Sequence, residues 1–289
     1  MVDMLFFSSP IGLGHATRDV AIANYFQNMS TKFVTGSGAA KLFSKYNFDV
    51  NDVYNPPNFN VQNGTLQSPL RWLWKYYKYY KECKSISSKI LAEESPKLVV
   101  SDEDFASLSI SQEKTIPTIL ITDILETKFA SGLGGLIEKK MNRSMHNIIE
   151  KCGVVILPEN GVDEENIKRV GPIVRETKLT RDELRKKFDF SGKTLVVSIG
   201  GTDTGKFLIE KILEIQPRLK DVEIVVVSGP SLSESYEGKI RNLGFVENLH
   251  ELIFASDAIV SLAGKSTIDE ARAYGTPGIF IPIKGYFEQ

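Results

Sequence analysis

Short apolar runs alternate with amphipathic stretches, and the alternation occurs twice along the 289 residues. Strands buried on both faces and joined by crossover helices give this pattern, so it restricts the chain to parallel α/β architecture. In the first half, residues 4–8, 32–35, 48–53, 97–101, 117–121 and 153–157 read as strands. Helices are expected over residues 16–28 and 69–94. Residues 55–67 hold Pro56, Pro57 and several asparagines and read as a long loop. The second half restarts the alternation near Lys168, with strands expected at 194–199, 223–228, 258–261 and 278–281. Helices are expected there at 204–216, 249–255 and 265–274.

Two successive units of this kind predict two Rossmann-like domains, residues 1–160 and 165–289, joined within residues 158–172. In such sheets ligands bind beyond the carboxyl ends of the strands. The expected site is a cleft between the two facing domains.

Charge and cysteine content narrow the partners. Lys plus Arg is 35 against 36 Asp plus Glu, so no global basic field exists and nucleic acid is not an expected partner. Cys83 and Cys152 form neither a disulfide framework nor a zinc spacing; both are expected as buried free thiols in a reducing compartment. The N-terminus lacks a basic region and a long apolar core, and no stretch reaches the length of a membrane span. A cytoplasmic protein, attached to a membrane at most by its surface, is the expectation.

Three glycine-rich loops fall at expected strand ends. Gly12-Leu13-Gly14-His15 precedes the first helix, but Thr17 replaces the third glycine of a dinucleotide fingerprint and the second strand ends without an acid. What remains is a tight turn presenting His15 at a helix N-terminus. The helix dipole there disfavours imidazolium, so a lowered pKa is expected, as a general base requires. A helix-capping histidine is the alternative. The second loop, residues 200–207, fits a P-loop except at Phe207, which cannot ligate Mg²⁺. Its turn can still cradle phosphate through backbone amides. In the third loop Gly264, Lys265 and Ser266 open a helix whose amides can face a phosphate, and Glu270 follows where a carboxylate could accept both hydroxyls of a ribose. Asp102-Glu103-Asp104 resembles a metal-holding triplet, but without clustered ligands it reads as a solvated loop or as an acid touching an acceptor, with Asp102 on the acceptor side. No metal site and no cofactor are expected.

Together these loops resemble GT-B glycosyltransferases of family 28. That family includes the bacterial enzymes adding N-acetylglucosamine to the lipid-linked peptidoglycan precursor, and related archaeal transferases. The resemblance rests on Gly12-Leu13-Gly14-His15, Ser101-Asp102, Gly171-Pro172 and Gly200-Gly201-Thr202. Its densest stretch runs from Gly244-Phe245-Val246 through Asp257, Ser261, Gly264, Thr267, Glu270, Gly275-Thr276-Pro277 and Pro282, and the chain closes on the acidic-Gln pair Glu288-Gln289.

The resemblance implies an inverting, metal-independent transfer from a nucleoside-diphosphate sugar, UDP-linked, to a hydroxyl acceptor that a lipid carrier could bear. It implies His15 as the catalytic group facing the acceptor and Glu270 on the ribose hydroxyls. Gly264, Lys265, Ser266 and Thr267 would hold the diphosphate, approached by Gly14, Gly201 and Thr202. Phe245 and Val246 would border the base, with Glu288 and Gln289 at the donor sugar. Leu262 stands where the resembled enzymes carry arginine. A sugar-nucleotide 2-epimerase and a non-catalytic sugar-nucleotide-binding protein are the alternatives.

Two further expectations concern the surface and the end of the chain. Residues 69–81 interleave aromatics with lysines. Leu70, Leu73, Trp74 and Tyr77 are expected in the core, and Trp72, Tyr76 and Tyr79 beside Lys75 and Lys78 would face a membrane interface at the inner side of the cell membrane. Members of the family continue past the position of Gln289, so a truncated C-terminal domain is expected.

Overall fold

The computed structural model describes residues 2–26, 28–58, 61–62, 65–66, 69–127, 133–200, 205–228 and 240–283. The chain divides into two compact units, the first drawn mainly from Met1–Ile11, His15–Asn58 and Ser68–Ile173, the second mainly from Val174–Gln289.

Along the chain the first elements are β1 (Met4–Ser8), α1 (Gly14–Ala23), β2 (Thr31–Thr35), α2 (Ser37–Lys45), β3 (Asp49–Asp52), β4 (Val61–Gln62), β5 (Thr65–Leu66) and α3 (Pro69–Glu94), of which β4 and β5 group with the second unit and the others with the first. The first unit continues through β6 (Leu98–Asp102), α4 (Phe105–Glu113), β7 (Thr118–Ile121), α5 (Leu133–Glu150), β8 (Val154–Leu157) and β9 (Ile167–Arg169). β4 and β5 pair as a short antiparallel hairpin within the expected loop. The remaining strands form a parallel sheet in the order β3-β2-β1-β6-β7-β8-β9, which reverses direction between β1 and β6.

Every residue of β1 is buried, which is why it reads as an unbroken apolar run. Leu5, Phe7, Val34 and Val99 pack against Cys83 and Leu91 of α3 and Ala106 and Ile110 of α4. Phe6 and Phe33 point to the opposite face, where Phe33 stacks on Phe43 of α2 at 4.2 Å. Both cysteines are buried free thiols.

β9 pairs in parallel with β8, Val155 opposite Ile167. The first sheet thus runs past the expected boundary at 160–165. Ile167-Lys168-Arg169 has no periodic signal of its own, and its ladder with β8 is what makes it a strand. The helices α2, α4 and α5 are not among the expected ones. α5 opens on Gly134 and Gly135, poor helix formers, and such helices are stabilised by packing more than by propensity.

The second unit comprises α6 (Arg181–Lys187), β10 (Lys193–Ser198), α7 (Lys206–Ile215), β11 (Val222–Val227), β12 (Ile240–Asn242), α8 (Leu249–Ala255), β13 (Ala258–Leu262), α9 (Lys265–Ala273) and β14 (Gly278–Ile281). A capping box of Thr180 and Glu183 starts α6. The parallel sheet has the order β12-β11-β10-β13-β14. Val196, Val225 and Ile259 face Leu184, Leu252 and Ile253 on one side. Val197, Val226 and Val260 face Leu208, Ile209 and Ile212 on the other.

The face of α3 is opposite to expectation. Trp72 is buried, donates from Nε1 to the Pro57 carbonyl at 3.2 Å, and stacks on Tyr76. Tyr79 lies edge-on to Tyr54, and Cys83 completes the inward stripe at i, i+4, i+7, i+11 spacing. Trp74 and Tyr77 are exposed, with Lys78 and Lys81 lying over their rings. The side chains of Leu70 and Leu73 lie outside the described residues. The stripe is set by Tyr54 and the Pro57 carbonyl, contacts that helix periodicity does not contain. Among the described residues no helix is long and apolar enough to cross a membrane.

The turn after β2 depends on Gly36. A Cβ there would collide with the carbonyl oxygen and carbon of Tyr54, which are backbone atoms. Val53 and Tyr54 donate to the Thr35 carbonyl beside it, so neither strand end can withdraw freely. Gly36→Ala should cost about 1–3 kcal/mol or more. Urea titration checks this: the midpoint should fall, and an unchanged midpoint would mean that the turn adjusts without loss.

Candidate functional site

Adjacent parallel strands deliver their carboxyl ends to the same sheet edge, and β1 and β6 are in register with Ser8 opposite Asp102. The turn after β1 leads into α1, which Gly14 opens and on which His15, Arg18 and Asp19 are all buried. His15 Nδ1 lies 2.8 Å from Asp102 Oδ1. Arg18 donates to the same carboxylate from Nε at 2.8 Å and Nη2 at 2.6 Å, and from Nη1 to Asp123 Oδ1 at 2.7 Å. The cluster stands where the strand order reverses, the position at which open α/β sheets bind ligands.

The electrostatics differ from the sequence expectation. Burial alone would push the His15 imidazole down, but Asp102, Glu103 and the hydrogen bond to Asp102 outweigh burial and Arg18 and push it up to about 10. The expected lowering by the helix N-terminus is overturned, because full carboxylate charges a few ångströms away exceed a partial dipole charge. Burial opposes the Asp102 carboxylate, yet Arg18 and His15 hold it well below the usual range. Burial and Asp102 push Asp19 up, which favours its protonated form.

Nor is the acidic triplet a solvated loop. Asp102 is fully buried, and Asp104 caps α4, accepting from the Ala106 and Ser107 amides. Asp104 also accepts from the Tyr54 hydroxyl at 2.7 Å. Asp102 spends its oxygens on His15 and Arg18.

In the second unit the sheet order reverses between β10 and β13. Gly264 ends the loop after β13 in an extended conformation, without a side-chain cap, and Lys265, Ser266 and Thr267 form the half-buried first turn of α9. Lys265 pairs with Asp269 at 2.6 Å. Glu270 is buried on the same helix. Its carboxylate is gripped by Arg175, from Nε to Oε1 at 2.9 Å and from Nη2 to Oε2 at 3.3 Å.

Arg175 also donates from Nη1 to the Glu247 carbonyl at 2.6 Å, and its own carbonyl accepts from the Tyr274 hydroxyl. It thereby ties the loop bearing Phe245 and Val246 to Glu270. That loop leaves β12 through Gly244, at φ 61°, whose amide donates to Asn242 Oδ1. Sequence reasoning missed Arg175: it lies 95 residues from Glu270, and no local pattern marks it. Gly201, Thr202, Glu288 and Gln289 lie outside the described residues.

The family model of the glycosyltransferase family 28 C-terminal domain matches residues 195–289. The matched segment contains Phe245, Val246, Gly264 and Glu270, and Arg175 reaches it from the residues that precede it.

Along more of the chain, an uncharacterized glycosyltransferase of Methanosarcina acetivorans is 26% identical over 96% of this chain and 79% of its own length. One of Methanopyrus kandleri is 25% identical over 70% of this chain and 61% of its own length. The N-acetylglucosamine transferase of Aquifex aeolicus acting on N-acetylmuramyl-(pentapeptide) pyrophosphoryl-undecaprenol is 24% identical over 71% of this chain and 61% of its own length. The matched part is therefore less than two thirds of the latter two relatives.

Among solved structures, the kitacinnamycin glycotransferase has a TM-score of 0.67 at 12% identity, covering 96% of this chain and 80% of that one. A Streptomyces glycosyltransferase complexed with thymidine diphosphate has 0.66 at 12%, covering 99% and 83%. The fold is GT-B.

Two stability outcomes follow from these pairs. Arg175→Ala strands a buried carboxylate and should destabilise the second unit by about 3–5 kcal/mol, read by denaturant unfolding; a loss near zero would mean that Glu270 is solvated. For His15, the folded pKa lies above the ordinary 6.5, so its contribution is fully present below pH 6.5 and is lost as pH rises through about 10. The unfolding free-energy difference between wild type and His15→Gln should shrink over that window. A pH-independent difference would count against a paired imidazolium.

Proposed function

We propose that this chain transfers a sugar from a UDP-linked donor to a hydroxyl acceptor, inverting the anomeric centre without a metal ion. The observation that carries the reading is the buried His15–Asp102 pair at the strand reversal of one unit, in a chain whose residues 195–289 match the family 28 C-terminal domain. Glu270 binds the ribose hydroxyls. An ionised carboxylate offers about four acceptor positions, and Arg175 uses one on each oxygen, so one on each remains for ribose.

Amides of Gly264, Lys265, Ser266 and Thr267 take the diphosphate at the α9 N-terminus, where negative charge grows on the leaving group. Phe245 and Val246 border the base. Gly14, Gly201 and Thr202 approach the phosphates, and Glu288 and Gln289 the sugar, as the resemblance implies. His15 hydrogen-bonds the attacking hydroxyl.

The Aquifex aeolicus relative's name supports an undecaprenol-linked acceptor. The exposed Trp74 and Tyr77, each beneath a lysine, suit the cytoplasmic surface of a membrane holding such a lipid. Flotation with anionic vesicles should recover wild type, and the Trp74→Ala, Tyr77→Ala double variant should float less. Equal flotation would remove this surface from the reading.

Calorimetry against UDP-, TDP- and GDP-sugars, followed by product analysis, tests the reaction. Glu270→Gln should lose about 1.5–3 kcal/mol of nucleotide affinity. His15→Gln should lower turnover while leaving donor affinity near wild type. A product that is the C2 epimer of the donor sugar would replace transfer with epimerisation, and binding without any product would leave a sugar-nucleotide receptor.

A further inference from the structure

One acidic side chain of the first unit has no part in the chemistry so far. Glu103 follows β6 with its backbone in the left-handed region, φ 56°, a conformation unfavourable for a glutamate and held here by its amide donating to the Ile121 carbonyl at 3.1 Å. Its Oε1 accepts from the Asp123 amide at 2.9 Å and from Thr122 Oγ1 at 3.1 Å. These bonds fix the carboxylate, and Oε2 stands 3.7 Å from His15 Nε2. That separation is too long for a hydrogen bond. A single oxygen can nevertheless lie about 2.8 Å from both atoms.

We propose that Glu103 is the catalytic carboxylate that takes the proton of the acceptor hydroxyl, with His15 Nε2–H holding the hydroxyl oxygen beside it; this rests on the glycosyl-transfer reading above. In the step, the hydroxyl oxygen forms a new bond to the anomeric carbon. The bond from that carbon to the diphosphate oxygen breaks, and its electron pair leaves on the diphosphate. The hydroxyl proton passes to Glu103 Oε2 and then to solvent, so charge and atoms balance.

The charges around His15 support this division of labour. It is faced by Arg18 from α1 and by Asp102 and Glu103 from the end of β6, and Asp123 after β7 reaches the same cluster through Arg18. Arg18 and Asp102 neutralise one another, burial and Asp102 favour the protonated form of Asp19, and Asp123 is bound to Arg18. A ring that keeps its proton to about pH 10 cannot receive another at neutral pH. Glu103 Oε2 is the acceptor that the geometry places beside it.

Glu103→Gln in the full chain keeps the shape and the Oε1 bonds while removing the charge. The probes are UDP-N-acetylglucosamine with undecaprenyl-pyrophosphoryl N-acetylmuramyl pentapeptide in vesicles, and ring NMR of the three histidines, with His15 assigned by its loss in His15→Gln. The expected result is a turnover loss of about 10²–10⁴-fold at every pH between 6 and 9, with donor affinity unchanged. His15 should also bind its proton about tenfold or more weakly in the variant.

A variant that transfers at the wild-type rate overturns the proposal. So does a wild-type rate that climbs tenfold per pH unit toward pH 10, which would make neutral His15 the base. An unmoved His15 titration shows that Glu103 does not face Nε2 and also overturns it, while leaving the transfer reading intact if wild type is active. A wild type that transfers to no acceptor, with a normal His15 response, sinks the transfer reading and this role together.

Discussion

The Asp102 carboxylate is the point on which the first unit's chemistry depends. It is fully buried, a costly place for a charge, and is tolerated because His15 and Arg18 together deliver three hydrogen bonds to its two oxygens. The arrangement exists because β1 and β6 are neighbours in register, so that the end of one strand and the helix after the other meet. Everything around the pair answers to this one charge. Burial and the Asp102 charge push Asp19 toward its protonated form, and Arg18 is shared outward to Asp123. The ring of His15 keeps its proton because carboxylates lie toward both nitrogens.

The second unit solves a parallel problem in the same way. Glu270 is buried on α9, and an arginine from before the matched segment holds it with two hydrogen bonds and braces the neighbouring loop through the Glu247 carbonyl. Arginine suits this task better than lysine because its planar fork can satisfy a carboxylate and a carbonyl at once. The carboxylate's position is therefore set before any ligand arrives, which lowers the ordering cost of binding. Burial and Arg175 also push nearby His250 down to about 3.

Much of the fold could be read from local pattern. The runs at β1, β6, β10 and β13 are buried on both faces and stand out as unbroken apolar stretches. Elements without that signature escaped: β9, which holds one apolar residue on an edge, and α5, which begins with two glycines. The long helix α3 was visible, but not its orientation, because aromatic residues occupy several of its faces and only Tyr54 and the Pro57 carbonyl decide which of them turns inward.

By itself, the sequence determined two parallel α/β units, the glycine turns at their strand ends, and the stretch from Gly244 to Pro282 that carries the resemblance to family 28. These are encoded among neighbours in the chain, in periods of two and 3.6 residues and in turn chemistry, so a local reading suffices. Only the tertiary structure decided which charges meet. His15 and Asp102 are 87 residues apart, and Arg175 and Glu270 are 95. Their pairing follows from strand order and register, and the protonation of His15 follows from that pairing. A dipole at a helix N-terminus can be inferred from sequence, whereas carboxylates arriving from another strand cannot, and over a few ångströms they are the stronger field.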